Sequence, residues 1–143
     1  MSHPILVELH QQLLAQSNEE IKRSSQRFFK ESVSFIGMKV TTIQAIQKHI
    51  YAQLPDHSKS TVFSLCEELW QSKFFEETII ACDWSFAVKK FYEVEDIALF
   101  ERWINTYVTN WATCDTFCNH TVGTIVERFP QLVSYMQQWT SSP

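Results

Sequence analysis

Apolar residues recur along this chain at intervals of three and four, the spacing that places side chains on one face of an α-helix. Residues 4–16 carry this pattern, with Pro4 in the opening turn. The capping-box sequence SNEE at 17–20 predicts a second helix over about residues 18–31. After a short extended connection at 32–40, further periodic stretches predict helices over 41–54, 60–71, 74–91 and 93–108. A seventh helix is predicted from 110 to about 129, and an eighth starts at Pro130.

These elements predict an all-α fold. Two glycines and four prolines are too few for a β-sandwich, which needs frequent turns. Helices with short connections are typical of stacked helical hairpins. No exact repeat is readable, so a compact orthogonal bundle stays open as an alternative. At 143 residues we expect one domain, 1–143, with a sizeable core.

The seventh helix carries a misplaced carboxylate. At about 100° per residue, one side of the helix collects six apolar or thiol residues, namely Trp111, Cys114, Cys118, Val122, Ile125 and Phe129. Asp115 lies only about 40° from Trp111, and is expected against that apolar surface. The wheel predicts that Thr113, Thr116 and His120 point away. Charged residues avoid apolar surfaces unless they are paired or functional, so Asp115 is a candidate functional residue.

Charge is unevenly spread over the chain. The net charge is −4, but residues 1–59 hold seven basic and five acidic side chains, against five and eleven in residues 60–143. The second helix carries a basic stripe, Arg23, Arg27 and Lys30, with Lys22 beside it. Such a stripe could track phosphates, although it is more often a solvated face. The acidic balance of the whole chain argues mildly against nucleic-acid binding.

No apolar run approaches the roughly 18 residues that a membrane span needs, and the N-terminus lacks a signal-peptide pattern. We therefore expect a soluble, cytoplasmic protein without membrane contact. The four cysteines form no C-x-x-C pair, so we expect buried thiols and no metal. Two weaker alternatives are a partial metal site of Cys114 and Cys118 with His120 or Asp115, and a cysteine nucleophile assisted by His120. The helical wheel places His120 about 160° from Cys118, which argues against the second.

Several blocks occur together and in order. They are Phe28 followed by FIGMKV around Gly37, Leu69-Trp70 with Glu76, Glu77 and Ala81, Trp103-Ile104, and N-W-x-x-x-D ending at Asp115, with Gly123 after it. In these blocks the chain resembles the AlkD-type DNA alkylation repair glycosylases. The resemblance implies a right-handed α-α superhelix of about eight helices in HEAT-like hairpins. It also implies a chain that is incomplete at its C-terminal end, because family members continue to a catalytic arginine and a second groove tryptophan.

The resemblance also implies roles for single residues. Trp111 and Asp115 match the family's aromatic residue and catalytic carboxylate. Phe28 stands where members often have a tyrosine lining the DNA groove. The FIGMKV loop and Lys39 would lie near the second helix, whose Lys22, Arg23, Arg27 and Lys30 would contact DNA.

The implied activity is hydrolysis of the N-glycosidic bond of cationic N3- or N7-alkylated purines in duplex DNA, such as 3-methyladenine and 7-methylguanine, without a cofactor. Such a bond breaks through an oxocarbenium-like state that an anion and an aromatic face can stabilise. The alternative is a non-catalytic helical-repeat scaffold that binds DNA or protein. An apolar stripe on the last helix could serve self-association or another protein, or fold back onto its neighbour; it consists of Leu132, Met136 and Trp139.

Overall fold

The structure is a computed structural model that describes residues 3–29 and 33–137. Within these ranges the chain folds into α-helices with short connections. They are α1 (Pro4–Ala15), α2 (Glu19–Arg27), α3 (Val40–Ala52), α4 (Lys59–Ser72), α5 (Phe75–Ala87), α6 (Asp96–Tyr107), α7 (Trp111–Phe117), α8 (Gly123–Arg128) and α9 (Leu132–Gln137). Extended pairing in the described ranges is limited to a parallel bridge between Ser34 and Phe74. The predicted all-α class is confirmed.

Side-chain caps explain where several helices begin. Asn18 accepts a hydrogen bond from the backbone N–H of Ile21 at 2.9 Å and starts α2. Ser58 caps α4 in the same way. Asn110 accepts from the N–H of Thr113 at 2.8 Å and starts α7. Each cap satisfies a donor that the first helical turn leaves unpaired, so these polar residues set the helix boundaries.

The helices pack in the order expected of stacked hairpins. Helices α4 and α5 form the most extensive pair and are joined by a two-residue connection, Lys73 and Phe74. Helix α1 packs on α3, α3 on α5, and α5 on α7, while α4 packs on α6. Contacts between every second helix are the signature of a helical-repeat fold, in which each unit rests on the next. This packing favours stacked hairpins over the orthogonal bundle; the handedness of the superhelix stays a prediction.

The core joins α4, α6 and α7 through large rings. Trp70 meets the edge of Phe117 with ring centroids 5.6 Å apart, and Phe117 meets Phe100 at the same distance. All three side chains are fully buried. Beside them, Glu67 of α4 accepts hydrogen bonds from Trp103 and Arg102 of α6. Burial opposes ionisation of Glu67, but these bonds and one from Tyr107 outweigh it and lower the pKa of the carboxyl.

The predicted orientation of the seventh helix is wrong. Thr113, predicted to point outward, is 1% exposed and lies in the core with Phe117, whereas Trp111 is 61% exposed. Helix α7 packs against α5 with the face that carries Thr113. The hydroxyl oxygens of Thr113 and of Thr78 in α5 are 3.4 Å apart. A π-helical turn, Cys118–Val122, then separates α7 from α8. The wider turn changes the angular phase that a constant 100° step assumes, so one helical wheel cannot describe 110–129.

Two further elements, α5 and the last helix, differ from the sequence-based expectation or settle an alternative that it left open. Helix α5 ends at Ala87 rather than 91, and a 3₁₀ turn, Lys89–Phe91, follows it. In α9, Leu132 is buried, and the hydroxyl of Tyr135 donates to Glu101 of α6. The described part of the last helix therefore folds back onto its neighbour. Trp139 lies outside the described residues. In the described ranges, no helix has the length and apolarity to cross a membrane.

Candidate functional site

An exposed tryptophan stands at the start of α7. The indole of Trp111 stacks on Phe29, which follows α2, with ring centroids 5.8 Å apart and planes 28° from parallel. Phe29 in turn contacts Phe35 and Phe75, each at 5.5 Å between centroids. We call these four rings, Phe29, Phe35, Phe75 and Trp111, the aromatic wall. It joins the end of α2 to α5 and α7, and it leaves most of Trp111 open to solvent.

Asp115 lies one helical turn after Trp111, on the same side of α7. Its carboxylate accepts a hydrogen bond from the side-chain amide of Asn119 at 3.1 Å. Among the described residues no cation pairs with it. Asp115 is exposed, so the expectation of a carboxylate against an apolar wall is wrong for the protein alone. Only a ligand that covers α7 would remove water from this carboxylate.

Helix α2, which carries the predicted basic stripe, ends two residues before Phe29. Arg23 and Arg27 are exposed, and Lys22 is partly buried because its Cβ packs beside Gly37. Phe28 is 80% exposed next to the aromatic wall. Lys30, the last member of the predicted basic stripe, lies outside the described residues. The contact that the structure shows between this end of α2 and α7 is the stacking of Phe29 on Trp111; Arg27 and Phe28 immediately precede Phe29 in the chain.

A buried carboxylate holds the loop at 33–39 in place. Glu76 of α5 is 2% exposed and accepts hydrogen bonds from the N–H groups of Ile36 and Gly37, at 2.9 and 3.0 Å. The carbonyl of Gly37 accepts from the N–H of Asn18 at 2.8 Å, which ties the loop to the start of α2. Lys39, which is exposed, immediately precedes α3. The sequence pattern places Glu76 in a first helical turn but gives no signal that it binds a loop 40 residues earlier.

A comparison with protein-family models identifies the chain. The model described as "DNA alkylation repair enzyme" matches residues 9–143. The chain belongs to the DNA alkylation repair enzyme family. A search among curated proteins gave no match. The family membership confirms the resemblance found in the sequence, and it gives the protein a role in DNA repair with DNA as its substrate.

This DNA alkylation repair protein has a cleft beside the aromatic wall. Its volume is about 220 Å³. Phe75 lines it and belongs to the wall, and Asn110, which lines it too, immediately precedes Trp111. The remaining lining residues are mostly polar: Val33, Ser34, Lys73, Thr78, Thr106, Tyr107, Thr109 and Thr113. Lys73 could not be found from the sequence, because a lone lysine in a connection carries no pattern.

Three thiols of this repair protein lie in environments that disfavour the thiolate. Burial raises the pKa of Cys66 and Cys82, and burial beside the Cys114 thiol raises the pKa of Cys118 to about 12. His120 points its Nδ1 to the carbonyl oxygen of Thr116, 2.9 Å away, rather than to a thiol. A nucleophilic cysteine needs a lowered pKa, so these environments argue against that alternative. In the described ranges no three His, Cys, Asp or Glu side chains converge as metal ligands would.

Proposed function

We propose that this protein is a DNA glycosylase that hydrolyses the N-glycosidic bond of cationic N3- or N7-alkylated purines in duplex DNA. One observation carries the proposal: the carboxylate of Asp115 has no cationic partner among the described residues and lies one turn from the exposed ring of Trp111. An unpaired carboxylate beside an open aromatic face suits a substrate that carries positive charge. Family membership supplies the DNA context.

The proposed chemistry uses the charge that alkylation creates. The alkylated purine is cationic and leaves as a neutral base, so the sugar gains positive charge as the bond to the base breaks. Asp115 stabilises this charge and orients the water that attacks the sugar carbon; the proton of that water passes to solvent. The face of Trp111 adds a cation–π attraction to the same charge. Electrostatic stabilisation of this kind is commonly the largest contribution to catalysis.

The exposure of both side chains sets a condition on this mechanism. In the free protein water surrounds Asp115, and water weakens its interaction with a cation. The DNA duplex must therefore cover α7 when it binds. Arg23 and Arg27 on α2 would hold the phosphates of that duplex, assisted by Lys22, Lys39 and Lys30. Phe28, 80% exposed, would contact the sugar or the groove edge by its ring.

The test is base release from methylated duplex DNA. Asp115→Asn keeps the shape and the Asn119 contact but removes the charge, so we expect about 100-fold slower release of 7-methylguanine. DNA affinity should not fall, because the removed carboxylate is an anion and makes no attractive contact with phosphates. Glu127→Gln, at an exposed position of α8, is the matched control and should release base at the wild-type rate. Equal release by Asp115→Asn and wild type would remove Asp115 from the mechanism.

The solvent exposure of Asp115 also favours a second candidate, a non-catalytic helical-repeat protein that binds DNA. In that case wild type would bind duplex DNA with strong salt dependence yet release no base. If it bound no DNA, a protein interaction would remain, and self-association through the last helix would be tested by light scattering. Val133 of α9 is 49% exposed and could contribute to such a contact.

A further inference from the structure

Lys73 occupies a backbone conformation that lysine rarely adopts. It ends α4 with φ of 66°, in the left-handed region. Glycine usually fills this position at the end of a helix, because it has no Cβ to clash. Residues in rarely populated conformations cluster at ligand sites, where a side chain justifies the strain. Lys73 lines the 220 Å³ cleft, and its side chain forms no ion pair with any described residue.

The chemistry of the cleft is that of an anion site. Ser34, Thr106 and Thr109 line it beside Lys73, and among the described residues no aspartate or glutamate does. A carboxylate would compete for the lysine, so a described lining without one leaves the ammonium group available to an anion. The cleft therefore combines one cation with several small donors, the set that oxygen atoms of a phosphate group accept.

A buried hydroxyl adds a donor from within the protein. Thr113 lines the cleft and is 1% exposed. Its hydroxyl forms a hydrogen bond of 3.4 Å with the hydroxyl of Thr78, which already donates to the carbonyl of Phe75 at 2.7 Å. The hydroxyl of Thr113 can therefore donate only a long hydrogen bond, to Thr78. A phosphate oxygen that enters the cleft would offer this hydroxyl a closer acceptor. Tyr107 offers nothing further, because its hydroxyl donates to Glu67.

The position of the cleft points to the class of anion. Phe75 belongs to both the cleft and the aromatic wall, and Asn110, which lines the cleft, immediately precedes Trp111. The cleft therefore adjoins the wall that carries the exposed ring of Trp111. We propose that the cleft below Lys73 binds a backbone phosphate of the DNA strand that contacts Trp111. This inference rests on the proposed function only in that it takes Trp111 to face DNA.

The first test measures binding of undamaged duplex DNA as a function of salt, which does not depend on base release. Lys73→Gln removes one phosphate contact, so the slope of log Kobs against log salt should fall by about 0.9. Between 50 and 200 mM salt, wild type should lose about 3.5-fold more affinity than the variant. Lys48→Gln removes the same charge from the exposed face of α3, outside the cleft, and should keep the wild-type slope.

A second variant guards against a folding defect. Lys73→Gly suits the left-handed conformation, so it should raise the melting temperature while showing the same reduced slope. If Lys73→Gln and Lys73→Gly both kept the wild-type slope, or if Lys48→Gln lowered it equally, the phosphate site would be wrong. Wild type without salt-dependent DNA binding would also overturn it. Reduced slopes in a protein that releases no base would reject the glycosylase proposal alone.

A third test locates the phosphate and separates DNA from a free anion. In a series of duplexes, one phosphate at a time is replaced by an uncharged methylphosphonate. At one position the replacement should weaken binding by wild type and leave the affinity of Lys73→Gln unchanged. Inorganic phosphate alone, followed by the NMR amide resonance of Thr113, should cause no shift at concentrations where DNA causes one. A shift with inorganic phosphate alone, and no sensitive position in the duplex, would assign the cleft to a small anion and contradict the proposal.

Discussion

Among single residues, Trp111 and Asp115 are held in different ways. The ring of Trp111 is fixed by stacking on Phe29, so its exposed face is presented in one orientation. Asp115 is fixed by one hydrogen bond from Asn119 on its own helix. An aromatic platform is thus preorganised by tertiary packing, whereas the carboxylate depends on local helical geometry. Under the proposed function, bound DNA would therefore have to complete the site around Asp115.

Gly37 occupies a position where even the addition of one methyl group should destabilise the fold. Its φ is 98°, and a Cβ there would lie 2.7 Å from both the carbonyl oxygen of Asn18 and the Cβ of Lys22. Gly37→Ala should therefore lower the free energy of unfolding by about 2 kcal/mol or more, measured by urea denaturation. The control is Gly123→Ala, where the backbone is helical and the nearest atom is the carbonyl oxygen of Cys118 at 3.2 Å. Equal effects at the two glycines would refute the argument.

At the scale of elements, the loop at 33–39 depends on α5. Glu76 accepts from two consecutive backbone N–H groups, and no water reaches them because the carboxylate is 2% exposed. Glu76→Gln replaces one acceptor oxygen by a donor, leaving a backbone N–H unsatisfied. We expect a loss of about 1–3 kcal/mol of unfolding free energy. Faster hydrogen exchange at Ile36 and Gly37 would assign that loss to the loop, and unchanged exchange there would contradict it. Glu127→Gln is again the surface control.

Local sequence patterns predicted the helices, whereas tertiary contacts determine which face of α7 is buried and which residues support the candidate site. Helices α1 to α6 follow apolar periodicity and caps such as Asn18, which act within a few residues. The face of α7 was mispredicted because Thr113 pairs with Thr78, 35 residues earlier, and because a π turn follows Phe117. In the candidate site, the resemblance pointed to Trp111 and Asp115. The sequence alone could not show the stacking partner Phe29, the loop anchor Glu76 or Lys73, since each acquires its place by folding.

For the molecule as a whole, charge raises the question of how an acidic protein binds DNA. The net charge is −4, so a uniform surface would repel the duplex. Arg23 and Arg27 offer a local answer, because both are exposed on α2 and lead to the aromatic wall. In the described ranges neither arginine forms an ion pair with a carboxylate. Their charges are therefore available to phosphates.

Replacing both arginines should separate local recognition from general charge. Arg23→Gln with Arg27→Gln should weaken duplex binding and lower the slope of log Kobs against log salt by about 1.8, because two phosphate contacts are lost. The control is Lys48→Gln with Lys90→Gln, which also removes two positive charges, from exposed positions on α3 and on the 3₁₀ turn. This control should leave the slope unchanged. If the two double variants lost affinity equally, DNA would be responding to total charge and α2 would not face it. If only the arginine pair lost affinity, the duplex would lie along α2, the helix that is followed by Phe29 and its stacking partner Trp111.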